Sequence, residues 1–163
     1  RHDLAEKVVR NYCLAKGIAV ALNPIPIADI LAAIATDAAM ILHLSRVYGL
    51  PITRSEAGSL LKTISIQLAF LMGTVWAMNL VAAALKGVSL GLSTLVTAGA
   101  QGAVAWYGTY VVGKAAEQYF VQGKSWGEGG PKRVVQEILD SLDRESLLAQ
   151  ARDDILARLK PLL

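Results

Sequence analysis

TISIQLAFLMGTVWAMNLVAAAL, residues 63–85, and GVSLGLSTLVTAGAQGAVAWYGTYVVG, residues 87–113, are separated by Lys86, the only formal charge between Lys62 and Lys114. About 20 apolar residues suffice for a helix to cross a bilayer, so each run is long enough. A domain of 163 residues can bury one such helix in its core. Two in succession predict a hydrophobic helical hairpin, and the functional question is whether lipid or protein covers it.

Outside this pair the chain is more polar. Hydrophobic residues make up 54% and charged residues 18%, above and below the usual shares, and the charges crowd into residues 1–16 and 114–163. The net charge of +3 is spread thinly, which argues against nucleic acid and for acidic headgroups beside an apolar segment. Cys13 is the single cysteine, so neither an internal disulfide nor a cysteine zinc cluster can form. Arg1–Arg10 is charged and amphipathic, unlike a signal peptide, and the chain is expected to be the C-terminal part of a longer one.

Taken in order, residues 1–22 predict an amphipathic helix with Leu4, Val8, Tyr12 and Ala15 on its apolar stripe. The prolines of Asn23-Pro24-Ile25-Pro26 stop it, and an apolar helix is expected over 27–48, ended by Gly49-Leu50-Pro51. Thr53 and Glu56 have the spacing of a capping box, which starts a third helix over 54–85. A fourth is expected over 94–122, before the glycine-rich loop 123–131. Residues 131–163 predict two short amphipathic helices. Val134, Val135, Ile138, Leu139 and Leu142 are apolar on the first; on the second, capped by Asp143, so are Leu148, Ala151, Ile155 and Leu159. Asp154 and Arg158 have the spacing of an ion pair. No run alternates with a period of two. The fold class is therefore all-α, a single bundle of about six helices built around the hairpin.

Small residues recur at steps of three and four along the apolar helices. Ala69, Gly73 and Ala77 mark a face of the third, and Gly102, Ala105, Thr109 and Gly113 a face of the fourth. Such faces let backbones approach closely, as helices do when they associate in lipid. Glycine within a helix costs about 0.5–1 kcal/mol relative to alanine, so Gly73, Gly102 and Gly108 call for a packing reason. The two hairpin helices are expected to pack on each other and on 27–48. Lys62, Lys114, Lys124, Lys132 and Arg133 gather on one side of the hairpin and Lys86 on the other, a distribution that puts both ends on the cytoplasmic face. Gln67, Trp76, Asn79 and Gln101 inside the runs favour the opposite arrangement, a bundle in which protein wraps the hairpin.

Catalytic chemistry is hard to assemble. Gly123-Lys124-Ser125 ends like a phosphate-binding loop, but Gln118 stands where the pattern needs glycine and a helix precedes it where a strand is required. Asp29, Asp37 and His43 are the ionisable residues in an apolar setting. Asp29 and His43 are about 20 Å apart along a helix and cannot share a metal. Asp29 suits the helix dipole, whereas Asp37, at mid-helix, either finds a serine, backbone or lysine partner if buried or stays protonated. No nucleophile–base pair, metal set or cofactor motif is present, and enzymatic activity is not expected of this segment.

Asn23-Pro24-Ile25-Pro26-Ile27-Ala28-Asp29-Ile30, then Met40-Ile41, Val47-Tyr48-Gly49, and a glycine-rich helix ending in Tyr119-Phe120 and Gly123 resemble a recurrent bacterial pattern. It is similar to the YcjF-like domain of unknown function, which accompanies Era-like GTPase domains in one chain or beside it. The likeness runs from about Ala15 to Gly123, and Lys132–Leu163 has the look of an addition. The resemblance implies a membrane-associated helical module coupled to a GTPase domain in cis or trans, with no catalytic residues of its own. The expected role is to anchor the GTPase or transmit its state at the cytoplasmic face of a bacterial membrane, integrally through 63–113 or with membrane remodelling. A helical domain that self-assembles into homo-oligomers is the first alternative, and a channel- or transporter-like bundle with Asp37 as its pathway residue the second.

Overall fold

The computed structural model describes the backbone of all residues except 23–25, 91–93 and 163, and the side chains except those of 23–33, 74–98, 100, 162 and 163. Among the described residues six helices follow one another: α1 (His2–Leu22), α2 (Pro26–Val47), α3 (Arg54–Leu90), α4 (Thr94–Val121), α5 (Gly130–Ser141) and α6 (Arg144–Leu159), closed by a 3-10 turn over Lys160–Leu162. Among the described residues there is no strand. The all-α class expected from the sequence is the one observed.

Local chemistry sets most boundaries. The Thr53 hydroxyl accepts the Glu56 amide at 3.1 Å and starts α3; the Glu56 side chain takes a hydrogen bond from that hydroxyl in turn. Asp143 Oδ1 accepts the Ser146 amide at 3.2 Å and starts α6. Both α2 and α4 end in a left-handed glycine. The Leu50 amide donates to Ser45 O and the Lys124 amide to Tyr119 O, with Gly49 and Gly123 at φ of 69° and 72°. Gly123-Lys124-Ser125 is thus the cap of α4, and Lys124 itself lies 3.8 Å from Glu56. The expected Asp154–Arg158 pair does not form; the contact nearby is Arg152 to Asp153 at 3.9 Å.

α4 is the central helix, packed against α1, α2, α3, α5 and α6. Its described part is buried on several sides, with Ala103, Trp106, Tyr107, Tyr110, Val111, Val112, Ala115, Ala116 and Phe120 in the core. α1 runs antiparallel to it, since Gly17 meets Gly102 while Val9 meets Gly113. α2 runs parallel to it, with Asp37 at Thr109 and Tyr48 at Glu117.

Three expectations are corrected here. The buried stripe of α1 is Ala5, Val9, Cys13 and Gly17 together with Val8; Leu4 is 54% exposed and Ala15 is exposed. Side chains that are small or branched close to the backbone lie nearest α4, because they permit the tightest approach. The third helix does not stop at Leu85 but runs to Leu90 with a break inside it, where Gly73 has φ 53° and ψ −149°. That backbone region is open essentially to glycine alone. The last concerns α6, which looks like an addition in the sequence but packs as part of the bundle: Ala151, Ile155 and Leu159 are buried in the common core.

Candidate functional site

Two features have the makings of a functional site: the interior where α1, α2 and α4 meet, and the exposed side of α3. In the first, helix α1 approaches α4 through glycine. A Cβ on Gly102 would lie 2.6 Å from the Gly17 carbonyl oxygen, and one on Gly17 would lie 3.1 Å from Gly102 O and 2.7 Å from Ile155 Cδ1. Ile155 of α6 fills the notch over this crossing, and Leu156 comes within 3.1 Å of a Cβ on Gly99. A Cβ on Gly113 would strike Val9 at 2.7 Å. The small-residue face of α4 therefore receives α1 at Gly102 and Gly113 and α2 at Thr109. Packing of α4 on α3 and α2 is as expected; the close approach of Gly17 of α1 is an addition to it.

Midway along the bundle Asp37 is buried and fully engaged. Lys16 Nζ donates to Oδ2 at 2.8 Å and Thr109 Oγ1 to Oδ1 at 2.9 Å. The Lys16 and Asp37 side chains are 11% and 10% exposed, so the pair forms largely away from water. Burying either ion alone would cost several kcal/mol, and together with the threonine the arrangement leaves neither carboxylate oxygen bare. Thr109, expected as a small packing residue, is a hydrogen-bond donor as well.

A larger ionic cluster closes the other end, where α1 begins and α4 finishes. Glu117, 4% exposed, accepts from His2 Nδ1 at 2.9 Å, from the Tyr48 hydroxyl at 2.5 Å and from Lys114 Nζ at 3.4 Å. Glu6 accepts from Arg10, Tyr110 and Lys114 at 2.9, 2.9 and 3.0 Å. Partial burial pushes the Glu6 carboxyl up, but these donors and the Lys114 charge outweigh it and hold the group below the usual carboxylate range. Lys114 answers in kind: burial lowers its pKa, and its bond to Glu6 more than restores it, leaving it raised. Burial, then the bond to Glu117, keeps Tyr48 protonated far above its ordinary pKa. Lys114 and Glu117 have the i,i+3 spacing of neighbours on one helix, but that Glu6 of α1 joins them carried no sign in the sequence.

The remaining sequence candidates are dispersed. His43 is exposed and meets the Tyr12 ring edge-on at 6.0 Å, so it belongs to no buried polar set. Ala69 and Gly73 are exposed; among the described residues a Cβ on Gly73 would have no neighbour within 4 Å, and its backbone angle is the reason for glycine. Ala105 is half-buried. Asp29 and Ala77 fall outside the described side chains. Among the described residues no cluster of His, Cys, Asp and Glu has metal-ligand geometry.

On α3 the exposed side bears Lys62, Ile66 and Phe70, with Ile66 52% and Phe70 77% exposed. Lys132 of α5 sits over the Phe70 ring, its Nζ 5.8 Å from the centroid. Among the described residues no helix is long and apolar enough to cross a membrane. The described side chains of residues 99–113 are buried or half-buried, with Gly99 and Gly102 beneath Leu156 and Ile155 of α6. The expected span 87–113 is thus core over its second half.

The model of the family described as Domain of unknown function (DUF697) matches residues 1–144. The match takes in α1 to α5, farther in both directions than the resemblance seen in the sequence, and leaves α6 outside. No curated protein and no solved structure matches the chain.

Proposed function

The chain belongs to the DUF697 family, and from that premise we propose that it is a membrane-associated helical module which anchors, or passes on the state of, a linked or partner GTPase. The observation that carries the membrane half is the asymmetry of α3. Most of the bundle buries its large apolar side chains, while Ile66 and Phe70 stand exposed just before Gly73. From there the sequence continues without charge to Leu85 and, past Lys86, through Leu95. A bundle that is packed and charged on its own, bearing one uncharged segment, suits a peripheral or partly inserted attachment better than a hairpin spanning over 63–113.

The GTPase half rests on the likeness to the YcjF-like pattern. Its mechanism in this chain is a change in how α1 sits on α4, transmitted from the ionic cluster around Glu117 and Glu6 to the Gly17–Gly102 crossing. Liposome flotation of residues 1–163 is the deciding experiment; chain that stays with the soluble fraction at all lipid compositions overturns the anchoring. Hydrogen exchange of α1 upon mixing with an Era-like GTPase domain in its GTP and GDP states tests the second half, and identical exchange in both removes it.

A second reading, a soluble self-assembling domain, is favoured by the same exposed Ile66 and Phe70, since a second copy could cover them. Gly102 cannot mediate it, being occupied by α1. In a channel-like bundle Asp37 would be the pathway residue, but both of its oxygens are held by Lys16 and Thr109, and its charge is accounted for by packing.

A further inference from the structure

We propose that Lys62, Ile66 and Phe70 of α3, with Lys132 of α5 over the Phe70 ring, form the surface by which this bundle docks on an acidic lipid interface. The inference rests on the membrane reading above and names its contact residues. Lys62, Ile66 and Phe70 are spaced four apart, so they share one helix face, and Ala69 beside them is small and exposed. An aromatic ring 77% exposed on an otherwise well-packed bundle is an unusual surface group.

Its cover is indicated by charge and by position in the chain. Lys62 and Lys132 are exposed and, among the described residues, form no ion pair, while the neighbouring Arg133 and Lys124 are matched to Glu137 and Glu56. Two unmatched ammonium groups flanking an apolar patch fit acidic headgroups above acyl chains. Aromatic rings and long basic side chains sit at that depth because each has an apolar body and a polar end. The patch also leads directly to Gly73, where the helix breaks, and to the uncharged sequence beyond it. An occupant that suits both this face and the uncharged sequence after it is a lipid interface rather than a small soluble ligand.

The test places an environment-sensitive fluorophore on the whole chain at Ile66→Cys, Phe70→Cys or Val121→Cys, the native Cys13 being fully buried. Val121 is the control: it is apolar and 56% exposed, but lies at the far end of α4. With phosphatidylcholine vesicles containing phosphatidylserine, the probes at 66 and 70 should shift to the blue and be quenched by brominated acyl chains, and the probe at 121 should not. Lys132→Gln should lower binding to these vesicles about fivefold, the effect of one basic residue near an acidic surface. Flotation with unshifted probes at 66 and 70 overturns the docking face and leaves the membrane reading standing. Failure to float overturns both. A blue shift that appears without vesicles and grows with protein concentration assigns the face to a second copy instead, and equal binding to pure phosphatidylcholine removes the acidic headgroup.

Discussion

α3 and α4 carry the two uncharged runs of this chain, and the bundle treats them in opposite ways. The described part of α4 is enclosed by five other helices, while the described part of α3 buries Leu60, Leu61 and Ile64 on one side and leaves Ile66 and Phe70 bare on the other. Hydropathy does not separate them. What does is the distribution of small residues: Gly99, Gly102 and Gly113 let α6 and α1 come close to α4. The corresponding glycine of α3, Gly73, breaks the helix, and a Cβ there would have no neighbour within 4 Å among the described residues. A run of apolar residues thus becomes core only where neighbours can reach its backbone.

Substitutions can break that contrast, beginning with the largest effect. Asp37→Ala should destabilise the chain by about 3–5 kcal/mol, because it strands Lys16 in the interior; a loss below about 1 kcal/mol in urea unfolding would mean that Lys16 reaches water unaided. Gly102→Ala should cost about 1–3 kcal/mol, since the added methyl meets the Gly17 carbonyl and only a backbone shift relieves it. Gly108 lies on the same helix with open space at its Cβ and no unusual φ. Gly108→Ala should therefore raise stability by about 0.5–1 kcal/mol, and a loss there instead would show that α4 tolerates no added volume at all. On α3, Phe70→Ser should leave stability within about 0.5 kcal/mol of the parent while weakening lipid binding.

A pH series sharpens the same comparison from the α1–α4 side. The folded pKa of Glu6 lies below its ordinary 4.5, so its contribution is complete above that value and is lost as the pH falls through the lowered one. Acid should loosen α1 from α4, with α1 amides losing exchange protection below about pH 4.5, and Glu6→Gln should flatten this part of the profile. Retained protection of α1 in Glu6→Gln at neutral pH would show that the glycine crossing alone holds the helix.

Much of the architecture was legible in the chain. Prolines, capping residues and glycines at helix ends act locally, so the six helices, the Thr53 and Asp143 caps and the left-handed ends at Gly49 and Gly123 follow from short stretches of sequence. The requirement that Asp37 find a partner was legible too, because a carboxylate at mid-helix in an apolar segment must be satisfied. Its identity was not. Lys16 lies 21 residues away on another helix, and no local spacing relates the two.

Sequence by itself determined helix content, most boundaries and the nearly uncharged character of 63–113, Lys86 apart, since these depend on backbone preferences and on side-chain transfer from water, both local. Tertiary structure alone decided which apolar run became core, because that depends on what can approach it. It selected α1 over α3 as the close partner of α4 through the meeting of Gly17 with Gly102, and placed α6 over them. It also brought Glu6, Tyr48 and His2 to the Lys114–Glu117 pair of α4, from positions whose separation along the chain held no hint of their contact.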